Sequence, residues 1–400
     1  MKMRGIYLKN ISVFSLFWVI IAIKAIIIPE IGVRNYFDYI IWGLALFFVF
    51  LNLTRNHIIG GFERDIFIGF FALFVVSIIG TCQNFTFHAF TCVVGVVCIG
   101  SFFIACSFIT TSNQKIYFEL FYIILLGRLL YRTFQGDYLG NSLPSFLLFS
   151  TLIYISLLLD NIVNDYNYLN GIFSKFYNFL VILISLGLMI YIGWNAASRT
   201  PVFTTIIIIL CFLGLRFFKP KEAVLKKMYW VLIFFLIFGI YIYINISTYD
   251  WYVKLNNYSE LYFHKNIDSS RSDIWRISLE SLKNWQFILG SGTGALPTYS
   301  GYENSSFHNA YLQLLMQNGV IGLAILVHIF KLVWYKLAEK SNDIVCQFII
   351  AGFIGIIVFN VFECTLLQNK AFVGLTEWMF LSVGIIRIRS LDRDQDILLI

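Results

Sequence analysis

Apolar runs of about twenty residues recur along the whole chain, and they constrain its fold more than any other feature. A helix of that length crosses the ~30 Å hydrocarbon core of a bilayer. Lipid offers the backbone no hydrogen bonds, so a spanning chain must form helices or a closed barrel. The runs are continuous rather than alternating in polarity, which favours helices. Only 13% of the residues are charged, against about 25% in soluble domains, so we expect an all-α integral membrane protein. Residues 1–400 are interpreted as a single polytopic domain.

Twelve of these runs are predicted to cross the membrane. They are Ile11–Ile28, Tyr36–Leu53, Ile66–Ile79, Ala89–Ile109, Ile116–Phe134, Pro144–Leu159, Phe176–Trp194, Pro201–Phe217, Met228–Ile246, Asn309–Val333, Ile344–Asn360 and Ala371–Ile388. Lysine and arginine in short loops orient such a bundle, because they stay on the cytoplasmic side. Here they are concentrated in alternate loops, whereas the short loops of the other face hold Arg34, Arg199 and Lys370. Both termini are therefore predicted to be cytoplasmic, and the longest polar interruption, residues 247–308, to be one large external loop.

Charge and cysteine usage exclude several classes of partner. The net charge of +7 is explained by the cytoplasmic lysines and arginines, so no nucleic acid is expected. The external face shows no pair of carboxylates spaced to bridge a divalent cation to phosphates, so we expect no metal and no cofactor. Among the seven cysteines, Cys82 and Cys364 fall near that face, and a disulfide between them is an alternative to two free thiols.

The external loop contains one clear helix signal. Ser270 and Asp273 resemble a capping box that opens a helix at Arg271. An apolar face follows, predicted to lie on the membrane surface or on the bundle: Ile274, Trp275, Leu279, Leu282 and Trp285. Arg271 opposes the helix dipole, which indicates an external anion, either a substrate or a lipid phosphate. Arg276 lies about 140° further around the helix and is the weaker candidate.

Three further positions could serve chemistry at this face. His308 stands at a membrane–water boundary, where a neutral imidazole could accept a proton. Arg199 directly precedes a predicted span, and arginine so close to hydrocarbon is costly unless it is paired. Arg128 and Arg132 lie in the outer half of the fifth span, where they either widen a basic pocket or extend towards water. The GSGTG sequence at Gly290–Gly294 is interpreted as a turn, with phosphate-binding amides as the alternative.

The order and sidedness of these motifs resemble the bacterial O-antigen ligase and O-antigen polymerase superfamily. The resemblance covers residues 196–324 and extends to the first 190 residues only through topology. It is carried by Ser198-Arg199, Arg271-x-x-x-Trp275, Gly290-x-Gly292-x-Gly294, His308-Asn309-x-Tyr311-Leu312-Gln313 and Gly319-x-x-Gly322. Pro201 departs from the pattern, since many members have a small residue there, but Arg199 remains in place.

The resemblance implies a glycosyltransferase of the inner membrane with a GT-C-like helical fold and a periplasmic active site. Its donor would be a glycan on undecaprenyl diphosphate, and membrane lipid and a chain-length regulator protein would be further partners. Arg199 and Arg271 would hold the diphosphate, and His308 would act as general base in one inverting, metal-independent transfer. The remaining substrate-binding positions would be Arg128, Arg132, Trp275, Arg276, Asn309 and Tyr311.

Two activities of this superfamily differ only in the acceptor. A polymerase transfers the glycan to a second lipid-linked repeat unit, and a ligase transfers it to lipid A–core in lipopolysaccharide biosynthesis. The motifs around Arg271 and His308 favour the polymerase, with the ligase as the alternative. A lipid-glycan flippase or transporter is the alternative from another class, although no internal repeat typical of transporters is visible.

Overall fold

A computed structural model describes most of the chain as helices. The described residues are 13–27, 40–47, 61–83, 86–107, 114–135, 142–164, 172–196, 198–263, 266, 271–282, 285–295, 306–367 and 371–398. No strand occurs within these ranges. An all-α membrane protein is therefore confirmed at this level.

The described part of the chain forms a series of helices. They are α1 (Val13–Ile27), α2 (40–47), α3 (Gly61–Gln83), α4 (Phe87–Ser107), α5 (Gln114–Phe134), α6 (Ser142–Asn164), α7 (Ile172–Asn195), α8 (Thr200–Phe218), α9 (Glu222–Ile244), α10 (Asp250–Phe263), α11 (Arg271–Ser281), α12 (Trp285–Leu289), α13 (Ala310–Ala338), α14 (Ile344–Phe362) and α15 (Ala371–Leu398). A 3₁₀ turn, Ile246–Thr248, joins α9 to α10.

Each of the twelve predicted spans overlaps one helix. Among the described residues, seven helices are long and apolar enough to cross a membrane: α3, α6, α7, α8, α9, α13 and α14. The full count of twelve spans and the external position of residues 247–308 stay predictions. The third and sixth spans are longer than their apolar runs suggest, because α3 and α6 each extend over 23 residues. Their polar ends, such as Glu63 in the first turn of α3, continue the helix beyond the apolar run.

Helix α14 lies at the centre of the bundle. It packs against α6, α8, α13 and α15. In its most apolar stretch 83% of the residues are buried, compared with 11% in the corresponding stretch of α9. Helices α8 and α14 are antiparallel: Arg216 bonds Gln347 at one end (3.2 Å), and Ile208 packs on Gly355 further along. A Cβ at Gly355 would lie 2.4 Å from the Ile208 side chain, so a glycine is needed for this close approach.

The bundle has two ends of different character. At the first, which we call the network end, Arg387 bonds Asp343 (2.8 Å) and Asp160 (3.0 Å), and Arg389 pairs with Glu63. This end collects the last turns of α6 and α15 and the first turns of α3 and α14. At the opposite end, the site end, α8 and α13 begin, α9 and α14 finish, and α11 packs on α9 and α13.

Candidate active site

His308 occupies a short segment that is fixed on each side. The Phe307 ring is fully buried, and its carbonyl accepts a hydrogen bond from Trp275 Nε1 (2.8 Å). The His308 amide donates to Ser306 Oγ (3.0 Å). His308 itself has a φ of +52°, a left-handed conformation that is uncommon outside glycine and that costs about 1–3 kcal/mol. Such strained residues cluster at functional sites, and the surrounding bonds hold this one in place.

Asn309 starts helix α13 directly after His308. Its side-chain oxygen accepts a hydrogen bond from the Leu312 amide (2.9 Å), which is the expected bond of an N-cap residue. The side chain is completely buried, yet its Nδ2 has no hydrogen-bond partner among the residues that the structure describes. An unsatisfied buried donor is costly, so a missing acceptor at this point is a sign of a binding site.

Arg271 and Glu363 form an ion pair beside this segment. Arg271 opens α11, as the sequence predicts, and its Nη2 lies 4.0 Å from Glu363 Oε1. The Glu363 carbonyl also accepts a hydrogen bond from the Ala310 amide (3.1 Å). Glu363 therefore joins the end of α14 to both Arg271 and the start of α13. It is one of several external carboxylates in the sequence, and nothing in the sequence connects it to Arg271, 92 positions away.

Arg199 lies at the same end of the bundle, at the start of α8. The α7–α8 corner is tight, because the Ser198 amide donates to the Gly193 carbonyl (2.7 Å). Arg199 takes the N-cap position, and its side chain is exposed. Because α8 and α14 are antiparallel, the start of α8 and the Glu363 end of α14 lie on the same side of the protein. Sidedness thus groups Arg199 with Arg271 and His308.

A buried carboxylate clamps the segment that carries Glu363. Glu377 of α15 is fully buried and accepts hydrogen bonds from Thr365 Oγ1 (2.6 Å) and Asn360 Nδ2 (3.0 Å). Asn360 Oδ1 in turn accepts from the amides of Thr365 and Leu366 (both 3.3 Å). These bonds fix residues 363–367 beneath the α13 start. An acidic residue inside a predicted span was the available signal for Glu377, since such residues are functional by default.

An apolar groove opens beside the site, between α9 and α14. It has a volume of about 240 Å³. Its lining is Leu232, Phe235, Leu236, Gly239, Ile240, Tyr243, Ile357, Val358, Val361 and Phe362. Where the groove reaches the site end, the Tyr243 ring packs on Trp275 (4.7 Å between ring centroids) and on Phe362 (5.7 Å). The groove therefore ends next to Glu363, the partner of Arg271.

Several residues that are predicted to contact the substrate make contacts within the protein. Trp275 is fully buried, with Ile274 beside it, so the α11 apolar face packs on the bundle. Tyr311 is 5% exposed and donates its hydroxyl proton to the Ile357 carbonyl (2.9 Å). Arg276 pairs with Asp273 (2.8 Å). We assign Trp275 and Tyr311 to positioning, and substrate contact by any of the three stays a prediction.

The predicted basic extension belongs to α5, and its place in a shared pocket stays a prediction. The Arg128 guanidinium lies over the Tyr131 ring (5.7 Å), and Arg132 is 9% exposed. Both belong to α5, which packs against α1, α6 and α7, whereas α11 packs against α9 and α13. Their geometry gives no support to a pocket shared with Arg271.

The glycine sequence forms a turn docked on a break in α13. Gly319 interrupts that helix with φ +67° and ψ −171°. The Ser291 amide donates to the Met316 carbonyl (2.7 Å), and the Gly292 amide to the Gln317 carbonyl (3.3 Å). A broken helix in a membrane is tolerated when other groups satisfy its backbone, and the turn supplies them here. Two amides that could have faced a phosphate are thus used, which favours the turn interpretation.

The structure also distinguishes a disulfide between Cys82 and Cys364 from two free thiols. Cys82 and Cys364 are both free thiols, the first exposed and the second buried. Burial raises the pKa of the Cys364 thiol to about 12. In the structure, Cys364 is part of the packed segment under His308 rather than of a cross-link.

Comparison with known families gives one match. Residues 179–327 match the family model described as O-antigen ligase. No curated protein matches the chain. The matched segment includes Arg199, Arg271 and His308, and Glu363 and Glu377 lie outside it.

Proposed function

We propose that the chain is a repeat-unit polymerase of the O-antigen ligase and polymerase superfamily, a proposal supported by the match of residues 179–327 to the family model described as O-antigen ligase. It would transfer a glycan from undecaprenyl diphosphate to a second lipid-linked repeat unit at the periplasmic face of the inner membrane. The family match supports a glycosyltransferase-like enzyme in general. Our proposal adds three points to this general function: the identity of the acceptor, the side of the membrane on which transfer occurs, and independence from a metal ion.

One observation carries the proposal: the Arg271–Glu363 pair, which is bonded to the start of α13 just after His308, adjoins the end of an apolar groove. Arg271 Nη2 lies 4.0 Å from Glu363 Oε1. The backbone carbonyl of Glu363 accepts a hydrogen bond from the amide of Ala310, two positions after His308. Phe362, next to Glu363, lines the groove. A polyprenyl diphosphate has the complementary shape, with an apolar tail for the groove and an anionic head for the arginine.

The proposed transfer is a single inverting displacement. The acceptor hydroxyl oxygen attacks the anomeric carbon of the donor glycan while the bond from that carbon to the diphosphate oxygen breaks. His308 takes the hydroxyl proton, and the diphosphate leaves with its lipid. Arg271 and Arg199 compensate the negative charge that develops on the leaving group, which positioned cations can do without a metal ion.

Glu363 gives the site a resting state without substrate. It neutralises Arg271 at 4.0 Å, a separation longer than a hydrogen bond. A diphosphate would offer the guanidinium two shorter, charge-assisted bonds, so substrate would replace the carboxylate as its principal partner. The carboxylate would then remain next to the α13 start, where it can stabilise a protonated His308.

The ligase is the second candidate, and the description of the matching family favours it. The sequence motifs around Arg271 and His308 favour the polymerase, and both candidates use the same donor and the same site. They differ in the glycan that accumulates when the protein is lost.

Lipopolysaccharide gels of a deletion strain test the proposal. Loss of a polymerase leaves core carrying a single repeat unit. Loss of a ligase leaves bare core while lipid-linked glycan accumulates, and that pattern would replace our first candidate by the second. An unchanged ladder would contradict both candidates. Complementation by the wild-type chain, but not by His308→Asn at equal membrane abundance, is the matched control.

A further inference from the structure

Helix α10 presents an exposed apolar stripe along one side. Trp251, Leu255, Tyr258 and Tyr262 recur at intervals of four, three and four residues, which places them within an arc of about 60°. Their exposed fractions are 51%, 49%, 61% and 69%. Large apolar side chains aligned and exposed in this way indicate a contact surface.

Most other residues of α10 are polar or face the protein, whereas Val253 (56%) and Leu261 (67%) are exposed apolar residues outside the stripe. Asp250, Asn257 and Glu260 lie away from the stripe and are exposed. Ser259 is 6% exposed and is the most deeply buried residue of the helix. The helix is thus amphipathic, with an apolar side directed outward rather than into the bundle.

The position of α10 along the chain limits what the stripe can contact. Helix α9 is a candidate membrane span that finishes at Ile244, and residues 245–249 lead to α10. Five residues reach at most about 17 Å, and the 3₁₀ turn Ile246–Thr248 shortens that reach. The headgroup layer on each side of a bilayer is about 5–8 Å thick. Helix α10 therefore begins in this layer or next to it.

The neighbouring surface of α9 is directed to lipid. Its exposed side includes Phe234 (63%), Ile237 (62%) and Tyr241 (64%). Helix α10 follows α9 along the chain, and its stripe is rich in tryptophan and tyrosine, which are enriched at membrane interfaces.

We propose that α10 lies on the external membrane surface, with Trp251, Leu255, Tyr258 and Tyr262 inserted at the boundary between headgroups and acyl chains. Amphipathic helices bind lipid surfaces in this way, with the apolar side buried by ~5–10 Å. The inference concerns membrane contact and is independent of the acceptor.

A glycan is the less favoured occupant. Sugar rings stack on aromatic faces but also require hydrogen-bonding side chains beside them. The carboxylates and amides of α10 (Asp250, Asn256, Asn257 and Glu260) lie outside the stripe. Leu255, in the middle of the stripe, offers a sugar no polar contact, whereas all four side chains suit a lipid interface.

Depth-dependent fluorescence quenching tests the proposal in the full chain. Labels at Leu255→Cys and Tyr262→Cys report the depth of the stripe in the membrane. The matched control is Asn257→Cys, which is exposed outside the stripe. Each is made with Cys82→Ser, because Cys82 is an exposed native thiol. The variants carry an NBD label in vesicles of phosphatidylethanolamine and phosphatidylglycerol, and nitroxide-bearing lipids act as the quencher. The unsubstituted Cys82→Ser chain gives the background labelling.

We expect lipid nitroxides to quench the labels at 255 and 262 roughly threefold more than the label at 257, with iodide in water showing the reverse order. Equal quenching at the three positions would overturn the proposal. Shielding from iodide that appears only after a lipid-linked glycan is added would assign the stripe to the glycan instead. A disulfide between copies through position 255 would assign it to a second copy of the chain. The label at 262 decides the matter if the variant at 255 fails to fold.

Discussion

Both ends of the helical bundle place an arginine among carboxylates, but they treat it differently. At the network end, Arg387 has 3% of its side chain exposed and bonds two carboxylates, Asp343 and Asp160, at 2.8 and 3.0 Å. At the site end, Arg271 has 21% exposed and faces one carboxylate, Glu363, at 4.0 Å. The first arrangement satisfies the guanidinium within the protein. In the second, the described carboxylate lies beyond hydrogen-bond distance, which suits an arginine that must bind an anionic ligand.

The comparison is tested most strongly by removing each arginine in turn. Arg387→Met leaves Asp343 largely buried without its partner, so we expect a loss of about 3–5 kcal/mol in stability and low abundance in the membrane. Arg271→Met breaks a long, partly exposed pair, so we expect less than about 1 kcal/mol. Thermal denaturation of the two variants in the same detergent provides the measurement.

Transfer activity per folded protein should rank the two variants in the opposite order, with the greater loss in Arg271→Met. Arg271→Met should lose the glycan ladder at near-normal abundance, whereas Arg387→Met should lose it only as far as its abundance falls. Equal loss of stability in both variants would remove the distinction between the ends.

The turn on the α13 break predicts a sharp glycine requirement at the site end. Gly319→Ala would bring a Cβ to 2.1 Å from the Ile288 carbonyl oxygen at a φ of +67°, so we expect a loss of more than about 2 kcal/mol. Gly187→Ala is the control, because a Cβ there meets nothing within 4 Å, and it should be neutral or stabilising. Thermal midpoints that fall equally would mean that α13 tolerates a regular helix at Gly319.

The clamp on residues 363–367 predicts a smaller effect. In Glu377→Gln, one of the two acceptor oxygens becomes an NH₂, so either Thr365 Oγ1 or Asn360 Nδ2 loses its acceptor at position 377. We expect a cost of about 1–2 kcal/mol. Thr365→Ser retains the hydroxyl and should behave as the wild type, whereas Thr365→Val should match Glu377→Gln. A fully stable Glu377→Gln would show that this carboxyl does not depend on the two donors.

Thiol labelling sharpens the comparison without changing the fold. With a pKa of about 12, Cys364 holds only about one thiolate in ten thousand thiols at pH 8, and it is buried. We expect maleimide to modify Cys82 within minutes and Cys364 only after denaturation. The measurement is mass spectrometry of tryptic peptides with time. Rapid labelling of Cys364 in the native protein would mean that the segment under His308 opens to water.

Helix positions near the site could be predicted from the sequence because local signals define them. Ser270, Asp273 and the apolar periodicity indicated a helix at Arg271, and α11 begins there. The run after His308 indicated a span, and Asn309 caps it. The family resemblance is likewise confirmed, over residues 179–327.

Contacts between distant residues could not be predicted in this way. Arg271 and Glu363 meet because α11 packs on α9 and α13 next to the end of α14, and periodicity does not specify which helices are neighbours. The break at Gly319 was also missed, because an apolar span reads as continuous whether or not one residue leaves the helix. The same limit applies to α10, where spacing gives the stripe but not its exposure.

The central claim is that His308 serves as the base in a metal-independent transfer from a lipid diphosphate. The most direct measurement is transfer between synthetic lipid-linked repeat units by the purified chain in vesicles with EDTA present. His308→Asn is the variant of choice, since asparagine accepts the left-handed conformation found there. We predict that the wild type forms a ladder and releases polyprenyl diphosphate, and that the variant, equally folded, is slower by about 10²–10⁴-fold. A ladder that His308→Asn forms at the wild-type rate, or that disappears with EDTA, would contradict the account.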